Sequence, residues 1–159
     1  MRNGTRRFAI ASWVFVALWA AFIFFMSSNT STGLNEGLGV FSRIYQIMKD
    51  VQASLLGPGV DVLSSIAHFC EYTVFGALLA NALRCHMPLG RACVLAIVCG
   101  SLYGVTDEFH QLFVPGRMCD PLDWLVDTAG SGLGSGLAWL ALGHRAPRAR
   151  CDLRDGGKR

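Results

Sequence analysis

Charge is scarce in this 159-residue chain. Only 16% of its residues are Asp, Glu, Lys or Arg, while 52% are hydrophobic; soluble domains carry about 25% charged residues. No C-x-x-C pair occurs among Cys70, Cys85, Cys93, Cys99, Cys119 and Cys151. That argues against a structural zinc site and for small apolar fillers in a reducing or lipid setting. The glycine-rich stretch 130–136 fits no G-x-G-x-x-G register and follows no strand, so it is not a dinucleotide loop. The formal net charge of +3 comes from basic tails, and no nucleic-acid partner is expected. A complete metalloprotease or phosphatase signature is missing, and so is the inverted repeat of a secondary transporter.

Long apolar segments are what the chain does have. Residues 8–26 carry no charge at all. As a helix they would span roughly 28 Å, close to the thickness of a hydrocarbon core. Three more apolar segments follow at about 60–83, 92–113 and 122–142. Arg2, Arg6 and Arg7 ahead of the first also fit a signal peptide. The apolar run exceeds the usual signal length, however, and Ser27-Ser28-Asn29 is a poor cleavage site, so a retained span is expected. The length supports one domain.

The basic residues orient the spans. Arg2, Arg6 and Arg7 precede the first, Arg84 and Arg91 lie between the second and third, and six Lys or Arg follow Leu142. The other two loops share only Arg43, Lys49 and Arg117. The positive-inside rule then places both termini in the cytoplasm. The expected architecture is an all-α membrane protein, a bundle of four transmembrane helices. Residues 1–7 form a cytoplasmic tail, and 143–159 a basic, disordered one drawn to anionic inner-leaflet lipids. In the outer loop, Phe41, Ile44, Met48, Val51 and Leu55 follow helical spacing. An amphipathic helix on the outer surface, between helices 1 and 2, is expected there. Gly100 and Gly104, with Gly130, Gly132, Gly134 and Gly136, predict close packing of the third and fourth spans.

Against this apolar background stand His68, Glu71, Asp107, Glu108, His110, Asp123 and Asp127. Each intramembrane Asp costs roughly 2.5–3.5 kcal/mol on the insertion scale. His68 and Glu71 lie roughly 12–16 Å into the second span. The third span brings its ionisable groups to its outer end, and the fourth begins with its own. All therefore fall in the outer half of the bilayer, which suggests one shared polar cavity. His68 and Glu71, and Asp107 and His110, are i, i+3 pairs; Asp120, Asp123 and Asp127 continue on one face. Asp120 is the expected N-cap of the fourth span, with Pro121 in its first turn. Arg117, the strong cation of this region, is free to pair with Asp123 or Glu108, or to hold an anionic group of a substrate. The acids far outnumber the bases, so a bound cation or protons must supply the balance.

These residues carry a family resemblance. His68-Phe69-Cys70-Glu71-Tyr72-Thr73-Val74-Phe75-Gly76 resembles the H-x-x-E-Y-x-x-F-G segment of the VanZ-like family. The stretch from Asp107-Glu108-Phe109-His110-Gln111 to Val114-Pro115-Gly116-Arg117 is similar to its D-E-x-H-Q-x-F-x-P-x-R segment. Asp120, Asp123, Asp127 and Gly130 match its continuation. The resemblance implies a four-span bacterial membrane domain over 8–142, in a family whose name-giving members are associated with resistance to teicoplanin-type glycopeptide antibiotics. It does not imply a reaction. The resemblance adds Gln111, Arg117 and Asp120 to the set of site residues, and Tyr72 belongs to the same segment.

Several functional readings fit these residues. In the first, a multi-pass protein of the cytoplasmic membrane binds an amphiphilic or lipid-linked envelope molecule and reduces antibiotic susceptibility without turnover. In the second, the chain is an intramembrane hydrolase or transferase acting on a lipid-linked substrate. His68, Glu71, Asp107, Glu108, His110 and Asp123 are then the candidate catalytic groups. His68, Glu71, Glu108 and Asp123 are candidate ligands of a divalent metal. Gln111, Arg117, Asp120, Asp127 and Tyr72 are the candidate substrate contacts. A proton relay and a purely structural salt-bridge cluster complete the choices.

Overall fold

The computed structural model describes residues 2–28, 47, 50–52, 54, 62–115, 117 and 119–143. Four long helices and no strand occur among them: α1 (Arg2–Ser28), α2 (Val62–Leu83), α3 (Leu89–Gln111) and α4 (Pro121–Gly143). Of the expected surface helix, residues 47, 50–52 and 54 are helical; the rest of that segment and the carboxy-terminal tail lie outside the described residues.

Helix ends follow from local chemistry. Pro88 occupies the N-cap of α3 at φ −57°, and its carbonyl accepts the first intrahelical bond from the Ala92 amide at 3.0 Å. Asp120 caps α4 as expected: its Oδ1 accepts the Leu122 amide at 2.9 Å, and Pro121 takes the first helical position, where no N–H is needed. Helix α1 starts earlier than its apolar run, carrying Arg6 and Arg7 within it.

An apolar core is present, but large apolar side chains also cover the surface and polar ones are buried beside that core. Phe15, Leu18, Phe25, Leu102, Phe109, Leu122 and Leu140 are exposed, while Ser12, Ser131, Ser135, His68, Asp107 and Asp127 are buried. Such a surface suits lipid, which cannot hydrogen-bond. Three helices, α1 from Gly4, α2 and α3, are long and apolar enough to cross a membrane. The fourth expected span, α4, is as long as α3 but is not among them; its Gly and Ser residues and two Asp residues dilute its apolar character.

Helices α2 and α4 share the most extensive contact, α3 packs on both, and α1 rests on α2 and α3. Glycine permits this. A Cβ at Gly134 would collide with the Thr73 carbonyl of α2 and lie 2.9 Å from the Ala77 amide nitrogen. One at Gly130 would stand 2.6 Å from the Phe69 carbonyl oxygen. Gly100 and Gly104 do face α4, against Ser131 and Asp127. The expected α3–α4 packing is present, but of the glycines of α4 it is Gly130 and Gly134 that permit close approach, and they face α2 rather than α3. Hydroxyls and ring N–H groups join the helices: Trp124 Nε1 and Thr128 Oγ1 donate to Ser101 Oγ at 3.1 and 2.9 Å. Helix α1 is held by Trp19 Nε1 on the Glu71 carbonyl at 2.9 Å and Tyr103 Oη on the Ala20 carbonyl at 2.7 Å.

The chain reverses direction at each connection. Asn81 bonds Ser12 and Trp13 Nε1 donates to His86 Nε2 at 3.1 Å, so the start of α1 meets the α2–α3 turn. At the other end, Ser28 meets His110 at 3.0 Å. The acidic residues of α2, α3 and α4, with His68, gather at this second end.

Candidate polar site

Three helices deliver one side chain or more each. His68 comes from α2, Asp107, Glu108 and Gln111 from one face of the last turn and a half of α3, and Asp127 from the second turn of α4. His68, Asp107, Glu108 and Asp127 are all buried, and one potential ligand atom from each lies within 4.8 Å of every other. His68 Nδ1 stands 3.1 Å from Asp127 Oδ1 and 4.0 Å from Asp107 Oδ2. A carboxylate only accepts, so as a hydrogen bond the closer contact requires a proton on Nδ1. Gln111 Nε2 donates to Glu108 Oε1 at 3.2 Å and reaches Asp107 Oδ2 at 3.5 Å. The Asp120 amide donates to Glu108 Oε2 at 2.8 Å, tying the start of α4 to the end of α3.

Two further buried groups border this quartet. Tyr72 sits one turn beyond His68, its ring parallel to the imidazole at 6.4 Å between centroids. It is wholly buried, and its hydroxyl has no hydrogen-bond partner among the described residues. Asp127 is also wholly buried, and its Oδ2 has none either. Three carboxylates and one imidazole thus share a space from which solvent is largely excluded. Fully ionised, they would repel strongly at low local dielectric.

The remaining predicted residues take other positions. Glu71 is half-buried, within electrostatic reach of His68, Asp107, Asp127 and Arg117, but it is not part of the converging quartet. Asp123 is half-exposed and accepts a hydrogen bond from Ser65 Oγ at 2.7 Å. Of the four candidate metal ligands read from the sequence, only His68 and Glu108 belong to the quartet; Asp107 and Asp127 complete it. Arg117 donates to Ser64 Oγ at 3.1 Å and forms no ion pair with Asp123 or Glu108. Its contact is a hydroxyl because the α3–α4 connection carries it over the start of α2. Asp120 is exposed and committed to capping. His110 turns towards α1, bonding Ser28 and lying 4.3 Å from the Phe24 ring.

Sequence reasoning missed Ser64 and Ser131. The first stands one turn before His68 and the second one turn after Asp127, so i, i+4 spacing from the ionisable residues was the available signal. Ser131 is buried where α4 meets Gly76 and Gly100.

The comparisons with known proteins agree with the motifs. The family profile described as VanZ/LLP1 matches residues 12–142, a span that holds every residue of the site. No curated protein and no solved structure matched the chain. With most of its length matched, and with apolar helices surrounding a buried His/Asp/Glu cluster, the chain is a membrane protein that belongs to the VanZ/LLP1 family.

Proposed function

We propose that this chain crosses the bacterial cytoplasmic membrane four times, with both termini in the cytoplasm. Its polar site then lies in the outer half of the bilayer, where it holds the head group of an amphiphilic or lipid-linked envelope molecule. By doing so it reduces access of lipoglycopeptide antibiotics to the cell surface. One observation carries this reading: four ionisable side chains from three helices converge at one end of an otherwise apolar bundle. Beside that buried group, Arg117, Asp123 and Glu71 are only partly covered. They form a polar flank that a head group reaches from the outer leaflet, with Arg117 offering a fork of donors to a phosphate or carboxylate. Two observations support α4 as the fourth span: α2 and α3 pack against it, and Leu122, Leu125, Leu133, Leu137 and Leu140 are exposed on its surface.

The orientation is tested by labelling. Cys119 is exposed at the site end of the bundle. In a variant retaining only this cysteine, a membrane-impermeant maleimide is expected to label intact cells. Labelling confined to lysed cells would reverse the topology.

The function is tested by expression in a glycopeptide-susceptible host, followed by binding of a fluorescent lipoglycopeptide to the cell surface. The wild-type chain should lower binding while lipid and muropeptide profiles stay unchanged. Arg117→Ala removes a charge-assisted contact worth about 1.5–3 kcal/mol, so the protective effect should weaken by roughly tenfold or more. Unchanged binding with the wild-type chain, or a new lipid or muropeptide species, would count against the proposal.

A further inference from the structure

We propose that His68, Asp107, Glu108 and Asp127 form a binding site for one divalent transition-metal ion, of the zinc or manganese class. The inference deepens the functional reading above, because it names what organises the site beneath the polar flank. One imidazole and three carboxylates, with no thiol in the quartet, form a mixed nitrogen and oxygen donor set. Such a set suits Zn2+ or Mn2+ better than soft Cu+ or the all-oxygen shell of Ca2+.

Distances agree with that class. Adjacent ligands on an ion bound at about 2.0–2.2 Å are roughly 3.0–3.5 Å apart, and opposite ones about 4.4 Å. His68 Nδ1 and Asp127 Oδ1 are 3.1 Å apart, His68 Nδ1 and Asp107 Oδ2 are 4.0 Å apart, and the widest separation in the quartet is within 4.8 Å. The four donors are therefore already gathered to within about an ångström of the separations that an ion requires.

Two unsatisfied buried groups point the same way, and one of them, the Tyr72 hydroxyl, lies outside the acidic cluster. A buried polar atom without a partner costs about 1–3 kcal/mol. Asp127 Oδ2 is such an atom, on a carboxylate of the quartet that lacks a second partner and would gain one from a cation. The Tyr72 hydroxyl is a second, on the same face of α2 as His68 and within electrostatic reach of Asp107 and Asp127. A hydration water on the ion gives this hydroxyl its missing partner. Gln111 already donates to Glu108 and reaches Asp107, as groups around metal ligands do. Charge closes the argument: with the ion taking the place of the Nδ1 proton, three carboxylates and a neutral imidazole carry −3, which a divalent ion reduces to −1.

The experiment uses full-length, tag-free protein in detergent. It is equilibrated with Zn2+, Mn2+ or Ca2+, freed of loose ions, and measured by elemental analysis and by thermal unfolding. About one equivalent of Zn2+ or Mn2+ per chain is expected, with a raised unfolding temperature that a chelator reverses. Asp127→Asn and Glu108→Gln should each lose the ion, whereas Glu71→Gln, outside the quartet, should keep it. Glu108→Gln serves if Asp127→Asn fails to yield monodisperse protein. Negligible Zn2+ and Mn2+ in the wild-type chain overturns the proposal, and so does equal loss in Glu71→Gln and Glu108→Gln. Because no antibiotic or envelope molecule is present, this result stands apart from the surface-binding assay. Metal bound without protection would refute only the functional reading, and protection without metal only this one.

Discussion

Gly134→Leu is expected to separate α2 from α4 and to leave little folded protein. Even a methyl group at this position would collide with the Thr73 carbonyl and press on the Ala77 amide. Both neighbours are backbone, so no side chain can swing aside. Overpacking of a close interface costs about 1–3 kcal/mol where side chains can adjust, and a collision with helix backbone belongs at or above the upper end. A loss of about 3 kcal/mol corresponds to a fall of roughly 10 °C in unfolding temperature for a chain of this size. The α2–α4 contact also sets the separation of His68 from Asp127, so the site is lost with it. Gly132→Leu provides the comparison, since a Cβ there meets none of the described residues within 4 Å. Its effect should stay within about 0.5 kcal/mol. Size-exclusion chromatography after stepwise heating in detergent reads both. Equal profiles for the two variants would refute this account of the packing.

Asp127→Asn is expected to abolish the protective effect of the chain while sparing its fold. The amide matches the carboxylate in size, and its oxygen still accepts the hydrogen bond from His68 Nδ1. What it removes is one buried negative charge in a group of three. The sign of its effect on stability then depends on conditions. With a chelator present, relief of repulsion should leave the variant at least as stable as the wild type. With Zn2+ or Mn2+ added, the wild type should become the more stable of the two. Asp127→Leu should be worse in both conditions by about 1–3 kcal/mol, because it strips the acceptor from a buried imidazole donor. Thermal unfolding with and without metal, alongside the surface-binding assay, measures these differences. A variant Asp127→Asn with full protective effect would remove Asp127 from any functional role.

Each motif residue was visible as an oddity before any geometry was known. An Asp, Glu or His in an apolar segment is conspicuous because its burial is so costly, and His68, Glu71, Asp107, Glu108 and Asp127 all stood out for that reason. The cap at Asp120 and Pro121 was equally legible, since both residues act through backbone bonds within one helical turn. The grouping was not legible. Helical periodicity places His68 and Glu71 near one another along α2, yet Glu71 stays outside the quartet, because the azimuth that matters is set by where α3 and α4 pack. Glycine content announced close packing but not its partner: Gly130 and Gly134 could have faced either neighbour, and backbone fit assigned them to α2.

The family came from motif resemblance and the profile match, while from composition and spacing came an all-helical membrane protein and the set of costly polar residues. These are consequences of local terms: hydrophobic run length, capping chemistry and the penalty for charge in lipid. Which of those residues meet was decided by tertiary structure. Converging Asp107 and Asp127 on His68, turning His110 towards α1 and placing Arg117 on Ser64 all depend on helix rotation and separation. Those variables are set by contacts between segments far apart in the chain, chiefly the glycine-mediated seat of α4 against α2, and no local pattern encodes them.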